Sequence, residues 1–203
     1  AETVASLVVW ENGRLKKSAY RKFIIRTAAP GDDFAAMKEA VGRRFRRLQE
    51  EKQPLPDLIL VDGGLGQLHA AAAALEEREI INQPLASIAK KEEVIYLFGQ
   101  EGEPVVLERH SPVLHLVQQI RDEAHRFAVS FHRQRRTARD LRSELGSIPG
   151  VGEKTVKKLL ARFGSLEAIR GSGVEELQTV VARRQASQIV NYFRGQASGR
   201  KSS

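Results

Sequence analysis

The chain has 203 residues, 33 Lys and Arg against 25 Asp and Glu, a formal net charge of +8 and no cysteine. That length suits two modest domains of ~100–150 residues or one large one, and the missing cysteines exclude a disulfide frame, a thiolate metal site and a cysteine nucleophile. No apolar run approaches the ~20 residues of a membrane span, the positive balance favours a polyanionic partner, and a cysteine-free chain fits a reducing, cytoplasmic setting.

Residues Thr3 to Trp10 are rich in β-branched side chains and lack the basic start of a signal peptide, so they read as a strand. A chain that opens inside a strand is expected to be a piece of something longer. Asn12-Gly13 marks a hairpin turn, and Lys16 to Ile25 resumes as a strand. Pro30-Gly31-Asp32-Asp33 then breaks the pattern and supplies an Asp to cap a helix. Phe34, Met37, Val41, Phe45 and Leu48 recur at helical spacing, with Arg43, Arg44, Arg46 and Arg47 crowded among them. Pro54 and Pro56 end that helix.

Leu58-Ile59-Leu60-Val61 is a short continuous apolar run, the pattern of a buried central strand. It stops at Asp62-Gly63-Gly64-Leu65-Gly66-Gln67, and an alanine-rich helix follows from Gln67 to about Glu79. A carboxylate at the end of a buried strand costs free energy unless a cation or hydrogen bonds compensate, and active sites collect at such strand ends. An Asp capping the next turn is the plain alternative, and on this signal alone both readings stay open. Gly63, Gly64 and Gly66 lack the Gly-Lys-Ser/Thr ending of a nucleotide-binding loop.

Leu85–Ala89, Val94–Phe98 and Val105–Leu107 read as short strands. A long helix starts near Ser111-Pro112 and carries Leu114, Val117, Ile120, His125, Phe127 and Val129. His132 falls two turns after His125 on nearly the same face, and His115 on another. A lone histidine on such a helix is usually a satisfied surface or core residue, so histidine alone does not settle a metal site.

From Arg133 to Arg142 the chain becomes a basic run, read as a helix end or linker at a domain boundary. The second unit opens at Ile148-Pro149-Gly150-Val151-Gly152-Glu153-Lys154-Thr155 and is helical in pattern to about Gly195. Gly150 and Gly152 permit a tight turn between helices and leave backbone N–H groups bare at the next helix's N-terminus, where a phosphate oxygen binds well. Lys154, Lys157 and Lys158 add positive charge. This segment resembles the helix-hairpin-helix motif, which grips DNA backbone without reading sequence. A second copy is expected near Val180 to Ile189, where the hairpin glycines are missing and Arg183 and Arg184 stand as side-chain replacements.

Taken together, five ordered segments resemble the C-terminal half of the UvrC family of nucleotide excision repair endonucleases. They are Thr3-Val4-Ala5-Ser6, Gly31-Asp32-Asp33-Phe34-Ala35-Ala36-Met37, Asp62-Gly63-Gly64-Leu65-Gly66-Gln67-Leu68, Ser111-Pro112-Val113-Leu114-His115 and Arg121-Asp122-Glu123-Ala124-His125-Arg126-Phe127. The resemblance implies an α/β fold, a ribonuclease-H-like mixed sheet flanked by helices over residues 1–138 with its first strand truncated. A linker over 139–145, a tandem helix-hairpin-helix domain over 146–196 and a disordered tail over 197–203 complete the expected order.

It also implies an active site of two aspartates and a histidine around Mg²⁺ or Mn²⁺. Asp62 matches the second aspartate, His125 the histidine, and Asp33 a further acidic position. The metal donors expected in this chain are therefore Asp62 and His125. The DNA-binding set expected is Gly150, Val151, Gly152, Lys154, Thr155, Arg183 and Arg184. The family's first aspartate lies in a Phe-Asp-Ile-Ser stretch upstream of Thr3, so this chain is expected to be impaired in isolation. The partners implied are damaged DNA and UvrB, and the activity is incision 5′ to a lesion. The competing expectation is a DNA-binding clamp without chemistry.

Overall fold

The computed structural model describes residues 3–90 and 93–199, in two compact units, Ala1–Val129 and Ser130–Ser203. In the first unit β1 (Val4–Leu7) pairs antiparallel with β4 (Arg21–Ile24), Val4 opposite Ile24 and Leu7 opposite Arg21. Between them β2 (Trp10–Glu11) and β3 (Arg14–Leu15) form a hairpin about Asn12 and Gly13, whose φ values of 52° and 79° are those of an Asn-Gly turn. The strand expected from Lys16 to Ile25 begins instead as a 3₁₀ turn at Lys17–Ala19 and is extended only from Arg21.

Helix α1 (Asp33–Glu50) starts where the carboxylate of Asp32 accepts the N–H of Ala35 at 2.9 Å. The cap is thus Asp32, and Asp33 is the first helical residue. One face of α1 buries Ala36 and Ala40 against Phe23 and Ile25 of the β1–β4 sheet. Another buries Val41, Phe45 and Leu48 against Leu68, Ala71 and Leu75 of α2 (Leu65–Glu76).

A second sheet has the order β5-β6-β7-β8, formed by Ile59–Asp62, Leu85–Ala89, Val94–Leu97 and Val105–Val106. β5 and β6 are parallel, joined by α2 as the crossover helix, and the other pairs are antiparallel. This is the mixed sheet with flanking helices expected from the sequence. One expectation needs correcting: among the described residues β5 is the edge of its sheet, not a central strand. Its apolar run overstates its burial, because only Val61 is fully covered while Leu58 is 52% exposed.

Helix α3 (Pro112–Leu145) passes through the division between the units at Val129 and Ser130. The linker expected over 139–145 is helical: no Gly or Pro interrupts the chain from Val113 to Leu145, and Leu141 and Leu145 are fully buried in the second unit's core. That unit continues with α4 (Glu153–Phe163), α5 (Leu166–Gly171), α6 (Val174–Leu177) and α7 (Arg183–Gly199). Its core joins Val156 and Leu159 of α4 to Ala186, Ile189 and Phe193 of α7. Residues 197–199 of the expected disordered tail belong to α7, and 200–203 lie outside the described residues.

Candidate active site and nucleic-acid interface

Asp62 is the last residue of β5, and its exposed carboxylate makes no hydrogen bond or ion pair among the described residues. The backbone turns away at once: Gly63, at φ 155°, donates its N–H to the carbonyl of Ile88 at 3.1 Å. A Cβ at Gly63 would lie 2.6 Å from the side chain of Gln67, whose Oε1 accepts the N–H of Gly64 at 3.1 Å. The glycines and Gln67 therefore compress the strand-to-helix turn, so that α2 begins three residues after Asp62 and aims the positive end of its dipole at that turn.

Asp33 is drawn toward the same end of the unit by packing. The ring of Phe34 lies over Gly66, where a Cβ would come within 2.4 Å of the ring. Further along, Gly42 meets Ala74 and Gln49 bonds Arg78, so α1 and α2 run parallel with both N-termini at one end. The first turn of α1, with Asp33 exposed, stands beside the first turn of α2.

His125 is exposed on α3, and its ring bonds no other residue among those described. Its neighbours do the anchoring. The Ser6 hydroxyl donates to the Ala124 carbonyl at 2.9 Å, and the Tyr20 hydroxyl donates to Glu123 at 3.1 Å. Arg126 forks onto both oxygens of Glu123 at 2.7 and 2.8 Å. The Phe127 ring meets Tyr20 edge-on at 5.1 Å and lies under the Lys22 ammonium at 4.6 Å. The hydrogen bonds of Arg126 hold the Glu123 carboxyl below its ordinary range, and burial followed by Glu123 pushes the Tyr20 phenol up. Ala124, Glu123 and Phe127 thus tie this segment of α3 to Ser6, Tyr20 and Lys22, and the His125 imidazole takes no part in the tie.

No hydrogen bond or ion pair joins Asp33, Asp62 and His125 to one another. Among the described residues no three His, Asp or Glu side chains converge as a metal cage. A hard divalent cation takes one or two carboxylates and keeps several waters; the uncommitted carboxylate of Asp62 is a donor of that kind, while the imidazole of His125 offers a softer nitrogen.

In the second unit, Gly150 has φ 82° and Gly152 is the N-cap of α4, with no side chain over the first-turn N–H groups of Glu153, Lys154 and Thr155. Lys154, Lys157 and Lys158 are exposed beside them. Val151 points the other way: its side chain is buried in the core and its N–H is used by Ile148, so it supports the hairpin rather than presenting a contact. The second hairpin is shorter. Val181 and Ala182 stand where Val151 and Gly152 stand in the first, as shown by the matching bonds Val156 N–H to Gly152 and Ala186 N–H to Ala182. Arg183 and Arg184 are exposed at the start of α7.

Gln185 escaped the sequence reading. Its amide donates to the Gly150 carbonyl at 2.6 Å while its Oε1 accepts the Ala182 N–H at 3.3 Å, tying the two hairpins together. A Gln three residues into a helix is a capping signature that could have flagged it. A cleft of about 420 Å³ between the hairpins is lined by Thr155, Lys158, Thr179, Val181 and Gln185.

The family model described as the UvrC RNAse H endonuclease domain matches residues 1–129, and that of a SAM-like helix-hairpin-helix tandem matches residues 142–194. The chain belongs to the UvrC family. A relative named UvrABC system protein C, from Solibacter usitatus, is 65% identical over 95% of this chain and 31% of its own length. The protein of the same name from Koribacter versatilis is 58% identical over 98% of this chain and 33% of its own, and that from Chlorobaculum tepidum 46% over 94% and 30%. The chain thus spans about a third of the UvrC relatives it matches, and it carries their ribonuclease-H-like domain followed by a helical hairpin domain.

Proposed function

We propose that this chain supplies the metal-dependent DNA endonuclease and the DNA grip of a nucleotide excision repair nuclease, and that it makes the incision 5′ to the lesion. The observation that carries the reading is Asp62, an uncommitted carboxylate at a strand end, in a domain that matches an endonuclease family.

Asp62 would hold Mg²⁺ or Mn²⁺ together with His125. The bound ion would supply Lewis acidity at the scissile phosphate and a lowered pKa for water. His125 serves either as a second donor or as the group that moves the proton, and its firm anchoring with a free ring suits both. Asp33, at the first turn of α1, adds negative charge to the same end and assists the cation's electrostatic hold. The glycine hairpin at Gly150 and Gly152 receives a backbone phosphate on the N–H groups of α4, with Lys154 and Thr155 beside it. Arg183 and Arg184 take the neighbouring phosphate through their side chains.

UvrB is the proposed partner that delivers the damaged strand. The relatives' shared name, which counts them as the C component of a UvrABC system, supports it.

The test is strand mapping. The full-length protein, with its partners and Mg²⁺, should cut an end-labelled lesion duplex on the 5′ side. His125→Ala should slow that cut by ~10²–10⁴-fold. Cutting only 3′ to the lesion, or undiminished by the substitution, contradicts the proposal. Tight DNA binding with no cut under either metal would leave the clamp reading in its place.

A further inference from the structure

The seam between α1 and β4 changes character along its length. Strand alternation puts Arg21, Phe23 and Ile25 on one face, and Phe23 and Ile25 are buried there against Ala36 and Ala40. The helix face that begins at Ala36 and Ala40 continues through Arg43, Arg44 and Arg47. The order of contacts fixes the register. Glu39 accepts the N–H groups of Arg26 and Thr27, Arg43 donates to the Ile24 carbonyl at 2.7 Å, and Arg21 comes next on the strand. The apolar end of the seam therefore gives way to an end where arginines from strand and helix stand together.

Acids balance them only in part, Glu51 being the one whose charge reaches both Arg47 and Arg44 among the described residues. Glu39 is taken by Arg43, Glu50 by Arg46, and Glu51 by Arg47 at 2.6 Å. Among the described residues Arg21 donates only to the carbonyls of Ser18 and Tyr20, and half-buried Arg44 has no hydrogen bond or ion pair. Burial, and then the charges of Arg21 and Arg47, push the Arg44 guanidinium below its ordinary range. A seam serving packing alone would place an apolar or acidic side chain opposite Arg21. Planar guanidinium forks match a phosphate's oxygens in pairs.

We propose that Arg21, Arg44 and Arg47 form an arginine slot that grips a backbone phosphate of DNA on the nuclease domain, apart from the hairpin domain's own phosphate sites. The proposal rests on the DNA-handling reading above and extends it.

The experiment measures affinity and salt dependence for a fluorescent bubble duplex, with full-length protein carrying Asp62→Ala so that incision plays no part. Arg21→Leu and Arg44→Leu are each expected to weaken binding by roughly 3–10-fold and to make the log–log salt slope shallower by ~0.9 per lost contact. The melting temperature should hold or rise, because each change removes one of several crowded like charges. Unchanged affinity and slope overturn the slot. So does a lowered melting temperature with unchanged DNA binding, which makes the arginines structural. Loss of UvrB binding with DNA binding intact makes the surface a protein-docking one and overturns it too. Parent protein that fails to bind the duplex at all sinks the DNA-handling reading itself, a result distinct from insensitivity to Arg21 and Arg44.

Discussion

Glu39 fastens the end of β4 to α1 just ahead of the loop that carries Asp32 and Asp33. Its carboxylate is nearly covered, with 9% of the side chain exposed, and burial alone would raise its pKa. The hydroxyl and N–H of Thr27, the N–H of Arg26 and the guanidinium of Arg43 outweigh that and lower it to about 2. The folded state thus keeps Glu39 ionised where the unfolded chain, with its ordinary value near 4.5, protonates it. Its contribution, roughly 2–3 kcal/mol, is complete above pH 4.5 and is lost as pH falls toward 2. Denaturant titrations of wild type and Glu39→Gln should differ by about that amount at pH 7 and converge near pH 2; parallel curves would contradict the assignment. Gly66 gives a second residue-scale test. In a helix, Gly→Ala normally stabilises by ~0.5–1 kcal/mol, but here the new Cβ meets the Phe34 ring. Gly66→Ala should therefore be neutral or destabilising in wild type and stabilising in a Phe34→Ala background, a coupling that a double-mutant cycle reads directly.

At the scale of elements, the first hairpin of the second unit separates shape from grip. Gly150→Ala places a side chain at φ 82° with no crowding, since the nearest atom is 3.8 Å away. It should cost ~1–2 kcal/mol of stability through backbone strain alone. Gly152→Val sits at extended φ and ψ of −94° and 178°, with open space around it. It should leave the melting temperature nearly unchanged yet weaken duplex binding by covering the α4 N–H groups; binding equal to wild type would remove the hairpin from the interface. The two elements also show what the sequence made legible. Local chemistry was readable: the Asn12-Gly13 turn, the Asp32 cap and the Pro-Gly-Val-Gly hairpin each need particular residues at particular φ and ψ. The placement of Asp62 at a strand end was readable from the apolar run that stops there, whereas His125 is singled out only by the resemblance, since a histidine on a helix carries no local signal of its own. What stayed hidden depends on contacts far apart in the chain. The edge position of β5 follows from strand order, which a run of apolar residues does not encode. The clamp of Tyr20 on Glu123 spans elements separated by the whole first unit, and Gln185 reaches back to Gly150 across three intervening helices. The continuity of α3 through the basic run rests on the helical spacing of Leu141 and Leu145, a weaker signal than the run of charge around them.

At the scale of the whole molecule, the described residues hold three buried apolar clusters: two in the first unit on different faces of α1, one against the β1–β4 sheet and one against α2, β5 and β6, and one in the second unit built on α3 to α7. Leu159, fully buried in the second unit, should cost ~2–5 kcal/mol when cut to Ala. Calorimetry should show that change lowering one transition and sparing the other; a joint shift of all unfolding would argue for a single cooperative unit. The division of labour follows the same line, with chemistry assigned to the unit that bears Asp62 and His125 and a phosphate grip to the unit that bears Gly150 and Gly152. In the proposed function, Asp62 holds the cation that makes incision possible. The most direct measurement is the incision rate of the full-length protein, with its partners, across a titration of Mg²⁺ and Mn²⁺, for wild type and Asp62→Ala side by side. Wild type should cut in a saturable, metal-dependent way, and Asp62→Ala should show only background cutting at every metal concentration, with DNA affinity unchanged. Metal-dependent cutting by Asp62→Ala at the wild-type rate would contradict that role for Asp62.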